Sequence, residues 1–473
     1  MKFKFIVFLL LPLWLVSCSG EASGGGVEEI TGLSDLKGGT VATLLGSFQD
    51  IEMSRMHPEF NYLRMNTVAE TIAAVENGKA DYGVLDEVLV LCTINEGRKV
   101  RELFPIPEIG GEAGMAFRKE ETGLCALFND FLADYKASDK YNDLCGRWFL
   151  ENAKYAVMPE IELPSSGEPL RVGVINNFPF TFIKDGKWAG YEAEMMMEFC
   201  RYANRPIQFY SYDFSGLITA LGTGKVDVAT SFIFITEERQ KTILFSDSYY
   251  FSPSSCFVAS GDGVAGKNGG FIERMKKSFY DNVIVEDRWR LIAEGLWETL
   301  VISFFSILFG TFVGMLLCWM RMSGGRILTG TAKTVVELVR GIPILVFLML
   351  MFYVVFASSH LTARWVAIIA FAINFGTYVS EMFRTGIEGV DKGQTEAGLA
   401  MGFGRVRTFC LFVLPQALRK IIPVYKGEAI SLIKNTSIVG YIAIQDLTKV
   451  SDIVRSRTYE AFFPLILTAV IYF

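Results

Sequence analysis

Residue types that usually carry chemistry are sparse in this chain. It has 473 residues with eight cysteines and two histidines, His57 and His360. No Cys-X-X-Cys pair occurs, so neither a thiolate metal site nor a dithiol redox pair has groups at a usable spacing. Setting aside Cys18, and Cys318 and Cys410 in apolar segments, leaves five cysteines, an odd number that gives no complete disulfide framework. They read as small buried hydrophobes. No Gly-X-Ser-X-Gly turn is present to expose a nucleophile. Gly261-Asp262-Gly263-Val264-Ala265-Gly266-Lys267-Asn268 nearly spells a phosphate-binding loop, but Asn268 stands where a Ser or Thr would reach Mg²⁺, and no apolar strand or helix flanks it. It reads instead as a flexible tether. The expectation is a protein without a catalytic or metal site. What remains is charge where charge is costly. Glu428 and Lys434 interrupt the apolar stretch 421–443. In lipid each would cost several kcal/mol unless it faced a cavity or snorkelled to the interface. Six residues apart, they do not share a helical face. Both are candidates for a translocation path.

The elements that must position such residues fall into two unlike parts. The chain is 51% hydrophobic and 20% charged, against about a quarter charged in ordinary soluble proteins. From residue 291 onward there are 16 basic and 11 acidic residues; the preceding part has 29 basic and 40 acidic. An acidic soluble part argues against nucleic acid as a partner. The basic part holds the apolar runs Ile292–Met320, Ile342–Ala357, Trp365–Phe383, Ile421–Ala443 and Ala461–Phe473, about five transmembrane helices in an all-α membrane domain. The last run is too short to span, and the expectation is a C-terminally incomplete domain. Arg321, Arg326 and Lys333 follow the first run; Arg384, Lys392, Arg405 and Arg407 follow the third. The positive-inside tendency puts both loops in the cytoplasm and the soluble part outside. Met1–Cys18 has Lys2 and Lys4, an apolar core and then Leu15-Val16-Ser17-Cys18, which resembles a bacterial lipobox with Cys18 as the lipidated residue; an ordinary signal peptide is the alternative.

Between residues 28 and 260 strand-like and helix-like patterns alternate, the mark of α/β layers. Strands are expected at Thr40–Leu45, Lys79–Leu85, Leu170–Ile175, Ile207–Tyr210 and Val226–Ser231. Helices are expected at Val68–Gly78, Glu192–Ala203 and Phe214–Leu221. The stretch Leu170–Tyr250, with Gly224-Lys225-Val226-Asp227 and Ile235-Thr236-Glu237-Glu238-Arg239, resembles the first lobe of family 3 periplasmic solute-binding proteins. The earlier stretch, with Gly78-Lys79-Ala80-Asp81-Tyr82-Gly83-Val84, resembles the second lobe plus the closing helices, so the lobes stand in permuted order. A circular permutation, with Met158–Pro169 joining the old ends, and a tandem array lacking its outer pieces both fit; a single permuted cleft is favoured because each lobe occurs once.

The resemblance implies a polar amino acid ligand held between the lobes. Arg239 matches the arginine that grips the α-carboxylate, with a two-pronged geometry that lysine lacks. Asp86 matches the acid that receives the α-ammonium. Ser47 at a glycine turn, Thr236, and Phe214 as a stacking aromatic complete the implied set. Two positions depart: Asn177 where the family often has an aromatic, and Phe234 where a Ser or Thr usually helps hold the carboxylate.

A further pattern lies between the third and fourth apolar runs. Glu396-Ala397-Gly398-Leu399-Ala400-Met401-Gly402 is followed by Phe412-Val413-Leu414-Pro415. This resembles the cytoplasmic coupling loop of ABC importer permeases, with Gly398 for an alanine and Phe412 for an isoleucine. Arg340-Gly341-Ile342-Pro343, Lys392-Gly393-Gln394 and Leu432-Ile433-Lys434-Asn435-Thr436-Ser437 extend the likeness to the polar amino acid branch with a type I permease fold. The resemblance implies that Glu396, Ala397, Gly402, Leu414 and Pro415 form the loop that docks on a separate ATPase subunit dimer. That partner binds the ATP. A second permease copy or a paralogue would complete the pathway.

The expected organisation is a signal peptide (1–18), a tether (19–27), lobe 2 with the closing helices (28–157), a linker (158–169), lobe 1 (170–260), a second linker (261–290) and the permease domain (291–473). The expected function is the fused binding and permease subunit of a polar amino acid importer in the bacterial cytoplasmic membrane. A ligand-gated channel would place its pore segments between the lobes, and a pure sensor would need no coupling loop.

Overall fold

The computed structural model describes residues 32–149, 156–260 and 271–473, apart from 37, 358, 360, 459, 461 and 462. The expected signal segment with Cys18, the tether after it and the glycine-rich 261–268 stretch lie outside the described residues. In chain order the strands are β1 (Thr40–Leu44), β2 (Asn61–Met65), β3 (Tyr82–Asp86), β4 (Val100–Ala113), β5 (Ala116–Arg118), β6 (Leu170–Val174), β7 (Phe182–Lys184), β8 (Lys187–Ala189), β9 (Ile207–Ser211), β10 (Val228–Thr230), β11 (Ile243–Phe245) and β12 (Tyr250–Ala259).

Two five-stranded sheets form, in the orders β2-β1-β3-β12-β4 and β11-β5-β10-β6-β9, with β7 and β8 a separate hairpin. Each sheet has a parallel part whose strands are followed by helices: β1 pairs with β2 and β3, and β6 with β9 and β10. Buried apolar strand residues such as Val41, Ala42, Val172 and Val174 explain this, because parallel strands are covered on both faces. The boundary expected between residues 157 and 170 divides the sequence but not the sheets. β5 leaves the first half to pair antiparallel with β10 and β11 in the second sheet. β12 returns from the second half to pair antiparallel with β3 and β4 in the first. The chain therefore crosses between lobes twice, at 113–116 and 245–250, and the crossings are bonded together through Tyr249 N–H to the Ala113 carbonyl (2.9 Å) and Met115 N–H to Ser246 Oγ (2.9 Å). The closing helices, Thr122–Lys136 and Asp139–Trp148, pack on the Tyr191–Tyr202 helix of the second sheet: Phe128 meets Phe199 edge-on at 5.0 Å, and Trp148 donates to Glu194. The described cysteines are all free, and Cys92, Cys125, Cys200 and Cys256 are buried, as expected of small hydrophobes.

The C-terminal part is helical. Among the described residues three helices are long and apolar enough to cross a membrane, within Met275–Met322, Ala363–Glu388 and Arg405–Ile442. A fourth span exists if the pair Arg326–Gly341 and Ile344–Val355, bent by 108°, counts as one. This corrects the expected five. The bend falls at Ile342-Pro343, where proline cannot continue the preceding helix. The run from residue 461 forms only a ten-residue helix, Phe463–Tyr472. Helices Arg288–Met322 and Ala363–Glu388 lie against one another because glycines allow it: a Cβ on Gly314 would sit 2.6 Å from Val379.

The two ends of this bundle differ. At one end Arg364 pairs with Glu298, and the lobes make contact: Lys225 donates to the Phe356 carbonyl at 2.6 Å, and Arg455 pairs with Glu70 at 3.1 Å. At the other end Arg321 pairs with Glu381 at 2.6 Å, and the short Lys392–Ala400 helix follows.

Candidate functional site

Strand ends and helix starts create the site. β1 stops at Leu44, Gly46 turns with φ +73°, and Ser47 caps the Phe48–Met56 helix by accepting from Asp50 N–H at 3.1 Å. β3 ends on Asp86, which opens the Glu87–Asn95 helix. From the other sheet, Phe214 opens the Phe214–Gly222 helix and Arg239 lies on the one-turn Glu237–Gln240 helix. These elements converge on one cavity between the lobes, of about 80 Å³. A single water needs about 10–15 Å³ on that scale, so the space suits one small solute rather than a chain.

Four of the five residues expected to hold a ligand line this cavity: Ser47, Asp86, Phe214 and Arg239. Arg239 spans the lobes. Its guanidinium donates to the Phe234 carbonyl at 2.9 Å and, at a long 3.5 Å, to the Gly46 carbonyl, and it lies 5.3 Å from the Phe214 ring centre. Among the described residues it makes no salt bridge. Burial pulls its pKa below the usual arginine value. Asp86 accepts from Gln49 Nε2 at 2.8 Å. Although it touches the cavity, protein surrounds it, and burial pushes its pKa up to about 7 against the lowering by Gln49. Thr236 is the correction: it does not line the cavity, because its Oγ1 caps the short helix by accepting from Arg239 N–H at 3.2 Å. It positions Arg239 rather than facing a ligand.

Asn177 and Phe234, the two departures, both line the cavity. Phe234 meets Phe48 of the other lobe edge-on at 5.2 Å, so an aromatic contact stands where a hydroxyl was expected. Two further residues were missed in the sequence. Phe232 forms a wall in a left-handed backbone conformation, φ +53°, stacked on Phe180 at 4.1 Å. The fully buried Glu192 accepts from Phe232 N–H at 2.7 Å and from the Tyr249 hydroxyl, fixing that strained turn. A buried glutamate at the start of a helix was the available signal.

Residues 170–406, half of the chain, match bacterial extracellular solute-binding proteins, family 3. The chain belongs to that family. Its C-terminal part also aligns with transport permeases. A Rickettsia bellii protein, provisionally named a glutamine transport system permease, is 36% identical over 187 residues, covering 38% of this chain and 84% of that protein. The L-cystine transport system permease of Bacillus subtilis is 33% identical, covering 38% of this chain and 77% of that one. A crystal structure of an amino acid ABC transporter with histidines is 32% identical, covering 43% of this chain and 91% of that chain, with a TM-score of 0.38. This family 3 chain thus joins a solute-binding unit to a permease-like helical part.

In that helical part the residues implied as a coupling loop lie together. Glu396 and Ala397 are exposed on the Lys392–Ala400 helix, Gly402 turns with φ +84°, and Leu414-Pro415 begins the Leu414–Asn435 helix. Glu428 and Lys434, both on that last helix, are not brought together: Glu428 is half-buried and Lys434 exposed. A cluster the sequence reading missed lies at the same end as the loop. Glu381 holds Arg321 and Arg384, with Arg340 at 4.0 Å. Its signal was a Glu and an Arg three residues apart in an apolar helix.

Proposed function

We propose that the chain is the receptor and permease of an ABC importer for polar amino acids. Its lobes lie outside the bacterial cytoplasmic membrane, and hydrolysis is supplied by a separate ATPase dimer. The observation that carries this reading is the cavity: a guanidinium from one lobe and a carboxylate from the other, Arg239 and Asp86, match the two ends of an α-amino acid. The names of the permease relatives, glutamine and cystine transporters, support the ligand class. The exposed Lys392–Ala400 helix, at the end of the bundle away from the lobes, is the surface for the ATPase, and a second permease copy or a paralogue completes the pathway. Proteoliposomes holding the full chain and its ATPase test this. A polar amino acid added on the lobe side should stimulate ATP hydrolysis and accumulate inside. Hydrolysis unmoved by all twenty amino acids would refute the reading.

A further inference from the structure

The binding cavity is not walled by the lobes alone. Lys449, Asp452 and Ile453, on the Leu447–Thr458 helix of the membrane part, also line it. This helix is firmly seated. Asp446 caps it by accepting from Thr448 N–H and Lys449 N–H, and Leu447 N–H donates to Thr299 Oγ1 of the long Arg288–Met322 helix. Val450 packs so closely on Gly295 that a Cβ there would meet it at 2.8 Å. Arg455 then ties the helix to the receptor, pairing with Asp452 at 2.9 Å and with Glu70 of the first lobe at 3.1 Å. Ile453 is buried.

Lys449 is half-buried, and among the described residues it makes no salt bridge. On this helix the cavity lining has one cation, Lys449, and one carboxylate, Asp452; Arg455 and Glu70 lie outside the lining, where Arg455 pairs with Asp452 and with Glu70. Arg455 is shared by both carboxylates, which leaves the Lys449 ammonium as the cation with capacity for another acceptor. With Arg239 and Asp86 engaged by the two ends common to all α-amino acids, the fourth wall meets whatever distinguishes one side chain from another.

We propose that Lys449 and Asp452 are ligand-contacting residues supplied by the permease part, and that they select the side-chain end of the bound amino acid. A wall whose charges cancel, and which offers both a donor and an acceptor, suits an uncharged hydrogen-bonding end such as a carboxamide over a carboxylate or an ammonium. The receptor site is complete only when the lobes sit on the membrane helix. This rests on the amino acid reading above.

The test uses the full chain in lipid nanodiscs, screened by calorimetry against the twenty amino acids, with glutamine, glutamate and lysine as probes of charge preference. Lys449→Gln should shift preference from glutamate toward lysine by about tenfold or more, and Asp452→Asn should shift it the opposite way, because each leaves one uncancelled charge beside the ligand. Lys449→Arg, which keeps the charge, should hold the wild-type preference. Equal loss of affinity for all three probes, or no change, in Lys449→Gln would overturn the proposal while the amino acid reading stands. Should Asp452→Asn not fold, the Lys449→Gln arm decides. A wild-type chain that binds none of the twenty refutes the amino acid reading, and this proposal with it.

Discussion

Arg239 is held in the cavity by carbonyls, not by a carboxylate, so its charge is aimed and available. Lysine at that position could reach one oxygen of a ligand carboxylate but not two in parallel. Arg239→Lys should therefore weaken amino acid binding by about ten- to a hundredfold, the worth of one charge-assisted bond, and titration calorimetry of the full chain checks it. Asp86 adds a pH dependence. Burial, with a smaller contribution from the buried Glu192, raises its pKa to about 7 against the lowering by its hydrogen bond from Gln49. A ligand ammonium needs the ionised form, so affinity should fall about tenfold from pH 8 to pH 6. For stability the sign is opposite. A carboxyl whose folded pKa lies above its unfolded value stabilises the fold at low pH, and that contribution is lost as pH rises through 7. Asp86→Asn should thus raise the melting temperature at pH 8 more than at pH 5, and equal shifts at both pH values would refute the assignment. Arg239 and Phe214 were named on the family resemblance, and Asp86 and Ser47 also on their places at a strand end and a helix start; all four line the cavity. Thr236 was misread because a Thr three residues before a helical N–H serves equally as a cap. Phe232 was invisible, since nothing local foretells a left-handed phenylalanine.

At the scale of elements, the helix implied to couple with the ATPase carries a test in its one departure. Gly398 is the buried residue of the Lys392–Ala400 helix, and a Cβ there would sit 2.5 Å from Thr408 Cγ2. Overpacking of this kind costs about 1–3 kcal/mol. Gly398→Ala, which restores the alanine that the resemblance leads one to expect, should lower the melting temperature and the ligand-stimulated ATP hydrolysis together. Thr408→Ser removes the offending methyl group and should rescue both; no rescue would mean that the contact is not what limits the helix. The parallel strands other than β2, the helices Val68–Glu76, Tyr191–Tyr202 and Phe214–Gly222 and the long apolar helices could be read from short-range periodicity; β2 and the Glu87–Asn95 helix were not. β5 and β12 could not be assigned to their sheets, because a strand's partner across more than a hundred residues leaves no local trace. The Leu447–Thr458 helix was overlooked for another reason. Its charges, Lys449, Asp452 and Arg455, hide an apolar face of Leu447, Val450 and Val454, and no long apolar run announces it.

Across the whole molecule, receptor and permease are one chain, and among the described residues each lobe makes a charged contact with the permease part. The first lobe uses Glu70 on Arg455; the second uses Lys225, whose ammonium donates to the Phe356 carbonyl and lies 4.5 Å from the Phe352 ring centre. Burial pulls the Lys225 pKa below its usual value, so the ammonium gives up water for this contact. Phe356 follows the bent helix pair, where a pull from the lobe would reach the spans. A hydrogen bond from a charged group is worth about 1.5–3 kcal/mol. In a separate receptor, losing it would cut docking by about ten- to a hundredfold. A tethered lobe, however, stays near its seat at an effective concentration of the order of millimolar, which buffers the loss. Lys225 lies outside the ligand cavity. Lys225→Met should therefore leave the amino acid dissociation constant within about twofold. Ligand-stimulated ATP hydrolysis in proteoliposomes should fall severalfold, not vanish. Cutting the chain between lobes and permease should remove the buffering, so the same substitution would then abolish stimulation. If Lys225→Met weakened ligand binding and hydrolysis in equal measure, the contact would belong to the fold of the lobe and not to the passage of force between receptor and membrane.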